Sequence, residues 1–309
     1  MKIKSFGKEF EKWLINYKKK TIRDSSYLRY TVALKLFQRY DISNVNVADL
    51  QSWHVQDYIN NLVEDEYSME TIYKQYKLIK EFVDYAINED MMYKPICSQV
   101  RLPNKCIIKT SRRNVVAYEA SEQEALKNVL RTGENQAYYA AILMLETGMR
   151  AGEVLALFWD DVNWSKRCLR ISKTIVKGYD NNHAIYIQNT AKSDSSNRVI
   201  PLSKEAMSVL ETMRSLDMSG NEKIFHTRDG EILSYDHLRY WIRKACKEAN
   251  VPYRGQHVFR HTFATNCYYK GCEVKVLSKF LGHSNSSITY NTYIHLYRDA
   301  LEDMRKIID

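Results

Sequence analysis

Helical periodicity dominates the chain from Phe6 to about Asn88. Apolar residues recur three and four positions apart in four successive segments, separated by charged or turn-forming residues. The first stripe is Phe10, Trp13, Leu14 and Tyr17, and the others run through 28–37, 53–62 and 72–86. Four short amphipathic helices must bury their apolar faces against one another, so we predict a compact four-helix domain.

Two prolines, Pro95 and Pro103, end this helical pattern. The stretch that follows is basic and lacks helical periodicity, which is typical of an extended connection. We therefore predict a helical domain over 1–103, a linker over 104–116 and a second domain over 117–309. A plain loop between two packed helices is the alternative interpretation of the linker.

The second domain mixes helical segments with a short region of alternating polarity. Cys168–Ile175, Ala184–Gln188 and Arg198–Leu202 read as three short strands, and helical patterns precede and follow them. The predicted fold class is therefore mainly α with a small antiparallel three-stranded sheet, in two domains.

The charge balance favours an anionic partner. The chain of 309 residues carries a formal net charge of +9, which suits nucleic acid. Basic residues alternate with tyrosines on the polar faces of the first domain, as expected for a groove that follows phosphates. A solvated charged face is the competing interpretation. The candidate DNA-binding residues are Lys18, Lys19, Lys20, Arg23, Arg29, Lys74, Lys77 and Lys80, with Arg112 and Arg113 in the linker.

The cysteines and the hydropathy pattern indicate the compartment. The six cysteines form no CxxC pair and no zinc-like spacing with histidine, so we expect reduced thiols and no metal site. No signal peptide opens the sequence, and no run of eighteen apolar residues could cross a membrane. We expect a cytoplasmic protein.

Chemistry-bearing residues occur in a fixed order in the second domain. Two guanidiniums can donate paired hydrogen bonds to one phosphodiester and stabilise the charge of a five-coordinate transition state. A phenol, with a pKa of about 10, needs a base such as histidine before it can attack phosphorus. A lysine can protonate the departing oxygen, and no carboxylate cluster competes for a metal. The six candidates are Arg150, Lys192, His257, Arg260, His283 and Tyr293.

The motifs around these residues resemble those of the tyrosine recombinases, the phage-integrase family. They are Thr147-Gly148-Met149-Arg150-Ala151-Gly152-Glu153, the turn that holds Lys192, His257-Val258-Phe259-Arg260-His261-Thr262, Leu281-Gly282-His283 and Tyr293-Ile294-His295. The helical block at 6–88 is similar to the family's core-type DNA-binding domain. The resemblance implies a two-domain DNA clamp.

The resemblance also implies a role for each residue. Arg150 and Arg260 would hold the scissile phosphate, and Lys192 would protonate the 5′-hydroxyl leaving group. His257 would assist proton transfer, and His283 would donate to the phosphate or orient it. Tyr293 would attack to form a 3′-phosphotyrosyl link. Glu153, about one helical turn from Arg150, would support the site.

Rival residues lie close to two of these assignments. Tyr290 and Tyr297 are alternative nucleophiles, and Tyr293 is chosen because the family has a histidine two residues after its tyrosine. His261 is an alternative base. The segment 299–309 could dock on a neighbouring protomer or fold back on its own domain.

The implied function is site-specific DNA recombination, without cofactors or ATP, for integration or excision of a mobile element. The implied partners are double-stranded DNA with specific core sites, three further copies of the chain on synapsed DNA, and an accessory DNA-bending protein. An Xer-like dimer-resolving recombinase is the nearest alternative. A type IB topoisomerase fits the two-histidine pattern and the modest size poorly. A non-catalytic DNA-binding regulator would be expected to have lost one of the six polar residues.

Overall fold

The computed structural model describes residues 4–104, 116–133, 135–178, 184–189, 197–217 and 219–283. These residues pack as two compact units, Met1–Arg112 with Lys177–Ala184 and Arg113–Val176 with Ile185–Asp309. They are called here the N-terminal unit and the C-terminal unit.

The N-terminal unit consists of helices. They are α1 (Phe6–Trp13), α2 (Lys19–Thr21), α3 (Asp24–Phe37), α4 (Ser52–Glu64) and α5 (Met69–Asn88), with a π-helical turn at Leu14–Lys18 and 3₁₀ turns at Asp41–Asn44, Val47–Asp49 and Ile96–Gln99. The π-helical turn joins α1 to α2, so the first predicted helix is continuous through Thr21. The four predicted helical segments are confirmed.

An aromatic cluster forms the core of the N-terminal unit. Phe10 lies against Trp13 and Phe37, with ring centroids 5.1 Å and 5.0 Å apart. Phe6 and Phe82 complete the cluster, and all five side chains are buried. Each buried phenyl ring contributes on the order of 2 kcal/mol, so this cluster fixes how α1, α3 and α5 pack.

The C-terminal unit is also mainly helical. Its helices are α6 (Ala120–Thr132), α7 (Gln136–Thr147), α8 (Ala151–Val154), α9 (Lys204–Leu216), α10 (Tyr235–Glu248), α11 (His257–Tyr269) and α12 (Val274–Leu281). Helix α7 is apolar on nearly every side and contacts α6, α9, α10 and α11, so it lies at the centre of the core. The Asn135 side chain accepts a hydrogen bond from Ala137 N at its start, and Gly148 ends it in the left-handed conformation.

Five short strands follow in the C-terminal unit, apart from Lys177, the last residue of the third. They are β1 (Val162–Asn163), β2 (Cys168–Ile171), β3 (Lys173–Lys177), β4 (Ile185–Asn189) and β5 (Arg198–Pro201). Strands β1, β2 and β5 form an antiparallel sheet, in which Ile171 pairs with Arg198. Strands β3 and β4 form a separate two-stranded sheet. The predicted fold class, mainly α with a small antiparallel three-stranded sheet, is confirmed.

The predicted membership of the three-stranded sheet is wrong in two respects. The expected strand Cys168–Ile175 divides at Ser172 into β2 and β3. The next residue, Lys173, contacts the buried Asp161 carboxylate through its ammonium at 2.9 Å. The expected second strand pairs with β3 instead, and Val162–Asn163 takes its place beside β2. Two residues are too few to show alternation, so the sequence carries no signal for β1.

No helix among the described residues combines the length and the apolar character that spanning a membrane requires.

Candidate active site

Arg150 follows the turn that ends α7. Its backbone N–H donates to Glu153 Oε2 at 2.9 Å, and its Nη1 donates to Glu153 Oε1 at 2.8 Å. Its Nη2 donates to the carbonyl of Gly282 at 3.3 Å, and the side chain remains 38% exposed. The guanidinium is therefore held from two sides while still reaching solvent.

Helix α11 carries two of the predicted residues, His257 and Arg260, three positions apart at its N-terminal end. The buried Arg260 side chain donates to the Gly148 carbonyl at 3.0 Å and to the Leu281 carbonyl at 2.6 Å. His257 is an exposed residue. Desolvation by the neighbouring protein lowers the pKa of His257, and the charges of Arg260 and Arg150 lower it further.

His283 emerges from the C-terminal end of α12. Gly282 is left-handed (φ 67°), Gly282 N donates to Lys279 O at 3.0 Å, and His283 N donates to Ser278 O at 3.1 Å. This pair of bonds is a Schellman motif, which fixes the direction in which the chain leaves the helix. Burial lowers the pKa of His283 to about 4, with the charges of Arg260, Arg150 and Arg198 acting in the same direction and Glu153 opposing them.

Three arginines from distant segments contact three successive carbonyls at this helix end. Arg198 Nε donates to Phe280 O at 2.6 Å, Arg260 Nη2 to Leu281 O at 2.6 Å, and Arg150 Nη2 to Gly282 O at 3.3 Å. The carbonyl end of a helix carries partial negative charge, which stabilises cations. The structure thus brings Arg150, Arg260, His257 and His283 together, as the motif order predicted.

Arg198 belongs to this cluster, although its sequence position predicted only the start of a strand. Its Nη1 and Nη2 donate to Glu153 Oε1 and Oε2 at 3.1 Å and 2.8 Å. The two side chains are 7% and 3% exposed. Burial would raise the pKa of Glu153, but the hydrogen bonds and charge of Arg198, together with Arg150, outweigh it and hold the pKa at about 2. No sequence motif marks this pair, because 45 residues separate its members.

Several predicted residues lie outside the described part of the chain: Lys192, Tyr293 with its rivals Tyr290 and Tyr297, Arg112, Arg113 and the segment 299–309. Most of the predicted linker, residues 105–115, also lies outside it. His261, the rival base, is buried.

The candidate DNA-binding residues of the N-terminal unit fall into three groups: those that line a groove, those that are exposed outside it, and Lys18. Arg29, Lys74, Lys77 and Lys80 line one groove of about 900 Å³ between α3 and α5, together with the carboxylates Glu81 and Asp84. Lys19, Lys20 and Arg23 are exposed outside that groove.

Lys18 differs from the other candidates. Only 8% of it is exposed, its ammonium pairs with Glu81, and it lies 4.8 Å from the centroid of the Trp13 ring. Its charge is therefore neutralised inside the N-terminal unit, unlike the charges of the surface lysines.

Two family comparisons agree with the motifs. Residues 117–299 match the phage integrase family, and residues 5–63 match the phage integrase N-terminal SAM-like domain. The first match covers more than half of the chain. The chain belongs to the phage integrase family, whose members are the tyrosine recombinases.

Individual relatives are distant in sequence but span most of the chain. A XerC-like tyrosine recombinase of Caldanaerobacter subterraneus subsp. tengcongensis is 26% identical, over 94% of this chain and 79% of the relative. The transposase of transposon Tn916 from Enterococcus faecalis is 23% identical, over 86% and 67%. Among solved structures, the Tn1549 transposon integrase in complex with a circular intermediate DNA matches with a TM-score of 0.80 at 17% identity, over 98% of this chain and 99% of that one.

Proposed function

We propose that this recombinase cuts and rejoins DNA at specific core sites through a 3′-phosphotyrosyl intermediate. The observation that carries the proposal is the gathering of Arg150, Arg260 and His283 at one end of α12, beside His257. Guanidiniums and imidazoles that converge from separate segments suit an anion that gains negative charge during reaction.

In the proposed reaction, Arg150 and Arg260 hold the non-bridging oxygens of the scissile phosphate. Their paired N–H groups stabilise the five-coordinate transition state more than the ground state, because the negative charge on those oxygens increases. Removal of one such preorganised donor costs about 10²- to 10³-fold in rate. The existing contacts of both arginines keep their guanidiniums in place before DNA arrives.

Proton transfer is assigned to His257, Lys192 and Tyr293. The Tyr293 oxygen forms a bond to phosphorus while the bond from phosphorus to the 5′-oxygen breaks. The phenol proton passes to His257, which the lowered pKa keeps neutral and able to accept it at pH 7. Lys192 gives a proton to the 5′-oxygen. We prefer His257 to His261 as the base, because His257 is exposed and His261 is buried.

The bonds that are exchanged determine whether the reaction needs an energy source, and the number of strands cut determines how many copies of the chain take part. A phosphodiester is exchanged for a phosphotyrosine, so rejoining is the reverse step and needs neither a metal nor ATP. Each tyrosine cuts one strand, and exchange between two duplexes cuts four strands. We therefore propose a homotetramer on two synapsed core sites, acting in the cytoplasm, with an accessory protein that bends the DNA.

The proposed biological role is integration or excision of a mobile element. The similarity to the Tn916 transposase supports this role, and the similarity to the XerC-like recombinase supports dimer resolution as a second candidate. The position of the core site separates the two roles. A site at the ends of an element that contains the gene supports the first, and a site far from the gene supports the second.

The test uses nicked suicide duplexes tiled across the DNA that flanks the gene. We expect the protein to form a denaturation-resistant adduct with at least one duplex, in the presence of EDTA and without ATP. Tyr293→Phe should abolish the adduct, whereas the matched controls Tyr290→Phe and Tyr297→Phe should retain it. An adduct that survives in Tyr293→Phe would show that the nucleophile is another residue. Absence of any adduct would favour a non-catalytic regulator.

A further inference from the structure

Arg198 is almost completely buried next to the candidate phosphate site. Its three contacts engage Glu153 through both guanidinium Nη atoms and the Phe280 carbonyl through Nε. With 7% of its side chain exposed, it is poorly placed to contact DNA directly. Burial of a charge is costly unless the charge is paired in good geometry, so a buried arginine here calls for a specific role.

The first effect of Arg198 is on Glu153. Each Glu153 carboxylate oxygen accepts one hydrogen bond from Arg198 and one from Arg150, the latter from Nη1 to Oε1 and from the backbone N to Oε2. These four bonds fix the carboxylate in one orientation. Because Glu153 contacts Arg150 directly, its orientation sets the position of the Arg150 guanidinium.

The second effect is on the local charge. Among the described residues at this helix end, Arg150, Arg198 and Arg260 carry three positive charges and Glu153 one negative charge, so these four groups have a net charge of +2. Without Arg198 the net charge would be +1, and the buried carboxylate would have Arg150 as its nearest counter-ion. Arg150 would then be neutralised at the place where a phosphate should bind.

The third effect is on the end of α12. Strand β5 contacts α12, and the bond from Arg198 to Phe280 O ties the last helical turn to the sheet. His283 follows three residues later, directly after the left-handed Gly282. The same arginine therefore holds both the Glu153–Arg150 pair and the segment that presents His283.

We propose that Arg198 is a positioning residue for DNA cleavage. It shares the Glu153 carboxylate with Arg150, so that Glu153 does not fully neutralise Arg150, and it anchors the turn that carries His283. This inference rests on the proposed function of the site. Arg198 acts through Arg150 and His283 and does not contact the phosphate.

The kinetic test compares Arg198→Gln and Arg198→Lys with Arg170→Gln. Arg170 lies on β2 and pairs in register with Val199, so its variant makes the same charge change in the neighbouring strand, at an exposed guanidinium that contacts the buried Asp161 carboxylate. We expect Arg198→Gln to form adduct about 10- to 100-fold more slowly in single turnover, the scale for groups that orient reacting residues. Its affinity for the duplex should change by less than about threefold, and Arg170→Gln should cleave normally. Arg198→Lys keeps the charge but loses the bidentate contact to Glu153, so its rate of adduct formation should lie between those of the wild type and Arg198→Gln.

A double variant separates positioning from a purely structural role. Glu153→Gln combined with Arg198→Gln restores the net charge of +2, because Arg150 and Arg260 remain without a carboxylate beside them. We expect the double variant to cleave faster than Arg198→Gln by about fivefold or more, a non-additive result. If Arg198 served only to stabilise the fold, the second substitution would lower cleavage further. Melting curves confirm that each variant is folded.

A DNA-free measurement keeps the inference separate from the proposed function. Amide hydrogen exchange at Gly282 and His283 should be at least about tenfold faster in Arg198→Gln than in the wild type, and unchanged in Arg170→Gln. If the wild type forms no adduct, the proposed function fails, and unchanged exchange would overturn the anchoring as well. If the wild type cleaves and Arg198→Gln cleaves equally fast, or loses binding and cleavage in equal measure, the inference fails while the proposed function stands.

Discussion

Arg260 donates a hydrogen bond to the carbonyl of Gly148 at 3.0 Å, across 112 residues of chain. Gly148 ends α7 in the left-handed conformation, two residues before Arg150. A Cβ atom at this position would lie 2.4 Å from the Phe263 ring and 3.0 Å from Leu281. Gly148 therefore ends α7, its carbonyl accepts a hydrogen bond from Arg260, and its backbone conformation sets the direction of the chain that leads to Arg150.

Gly148→Ala should destabilise the protein by more than the conformational cost of its left-handed backbone. That cost is about 1–2 kcal/mol, and the close approach to Phe263 and Leu281 adds to it. Gly220→Ala is the matched control, because Gly220 has nearly the same φ and no atom within 4 Å of the added Cβ. Urea unfolding measures both variants. Equal losses of unfolding free energy would show that the packing around Gly148 yields easily.

Glu153 should make the folded state sensitive to acid. Its pKa is about 2 in the folded chain against an ordinary value of 4.5, so the folded state binds fewer protons than the unfolded state between these values. The contribution to stability is therefore complete above pH 4.5 and is lost as the pH falls towards 2. It amounts to about 3 kcal/mol.

Denaturant unfolding at a series of pH values checks this contribution. Glu153→Gln should be less stable at neutral pH, because Arg198 loses its charged partner, and should lack this part of the acid dependence. Glu211→Gln, a change at an exposed position of α9, should keep the wild-type dependence. An unchanged acid slope in Glu153→Gln would mean that another group is responsible.

The sequence was sufficient to predict elements whose signal is local. The four longer helices of the N-terminal unit, α1, α3, α4 and α5, follow from their apolar periodicity, and the motif order predicted that Arg150, Arg260 and His283 would meet. The pairing of Arg198 with Glu153 could not be predicted, because nothing local distinguishes this arginine from another strand residue. Only the packing of β5 against α12 brings it to the site.

The position of Lys18 shows how a small irregularity changes a prediction. A regular helix would place Tyr17 on the buried stripe with Phe10, Trp13 and Leu14. The π-helical turn at Leu14–Lys18 inserts an extra residue into the helical repeat, so Tyr17 is 51% exposed and Lys18 faces inwards. No residue type in this segment predicts such a turn, and the sequence therefore placed Lys18 among the surface cations.

His283 should be neutral at physiological pH in the DNA-free protein. Burial and three neighbouring arginines lower its pKa to about 4, so the folded state takes up its proton only well below the ordinary 6.5. Stability attributable to the neutral ring is complete above pH 6.5 and is lost as the pH falls towards 4, because the unfolded chain binds the proton first. NMR titration of the imidazole, assigned with His283→Gln, measures this pKa. A value at or above 6.5 would contradict the burial of this ring beside the three arginines.

The groove between α3 and α5 should contribute to DNA affinity through charge. Lys77→Ala combined with Lys80→Ala should weaken binding to any duplex, and should reduce the salt dependence of log K by about one for each phosphate that the variant no longer neutralises. Lys35→Ala is the control, since Lys35 is exposed on α3 but does not line the groove. Binding isotherms at several salt concentrations measure the slope. Equal slopes for the wild type and the double variant would remove this groove from the DNA interface.

Lys18 should show the opposite pattern, a loss of stability with little loss of affinity. Its side chain is buried, and its ammonium lies over the Trp13 ring and pairs with Glu81, which is itself partly exposed. Lys18→Ala removes that packing and the ion pair, so we expect a loss of about 1–2 kcal/mol in unfolding free energy. The salt dependence of duplex binding should match that of the wild type, because a lysine already paired inside the protein releases no counterions from DNA. Parallel urea unfolding and binding experiments on Lys18→Ala and Lys20→Ala decide the matter. Lys20 is exposed, so its variant should keep wild-type stability, and a reduced salt slope in Lys18→Ala would return Lys18 to the DNA-binding surface.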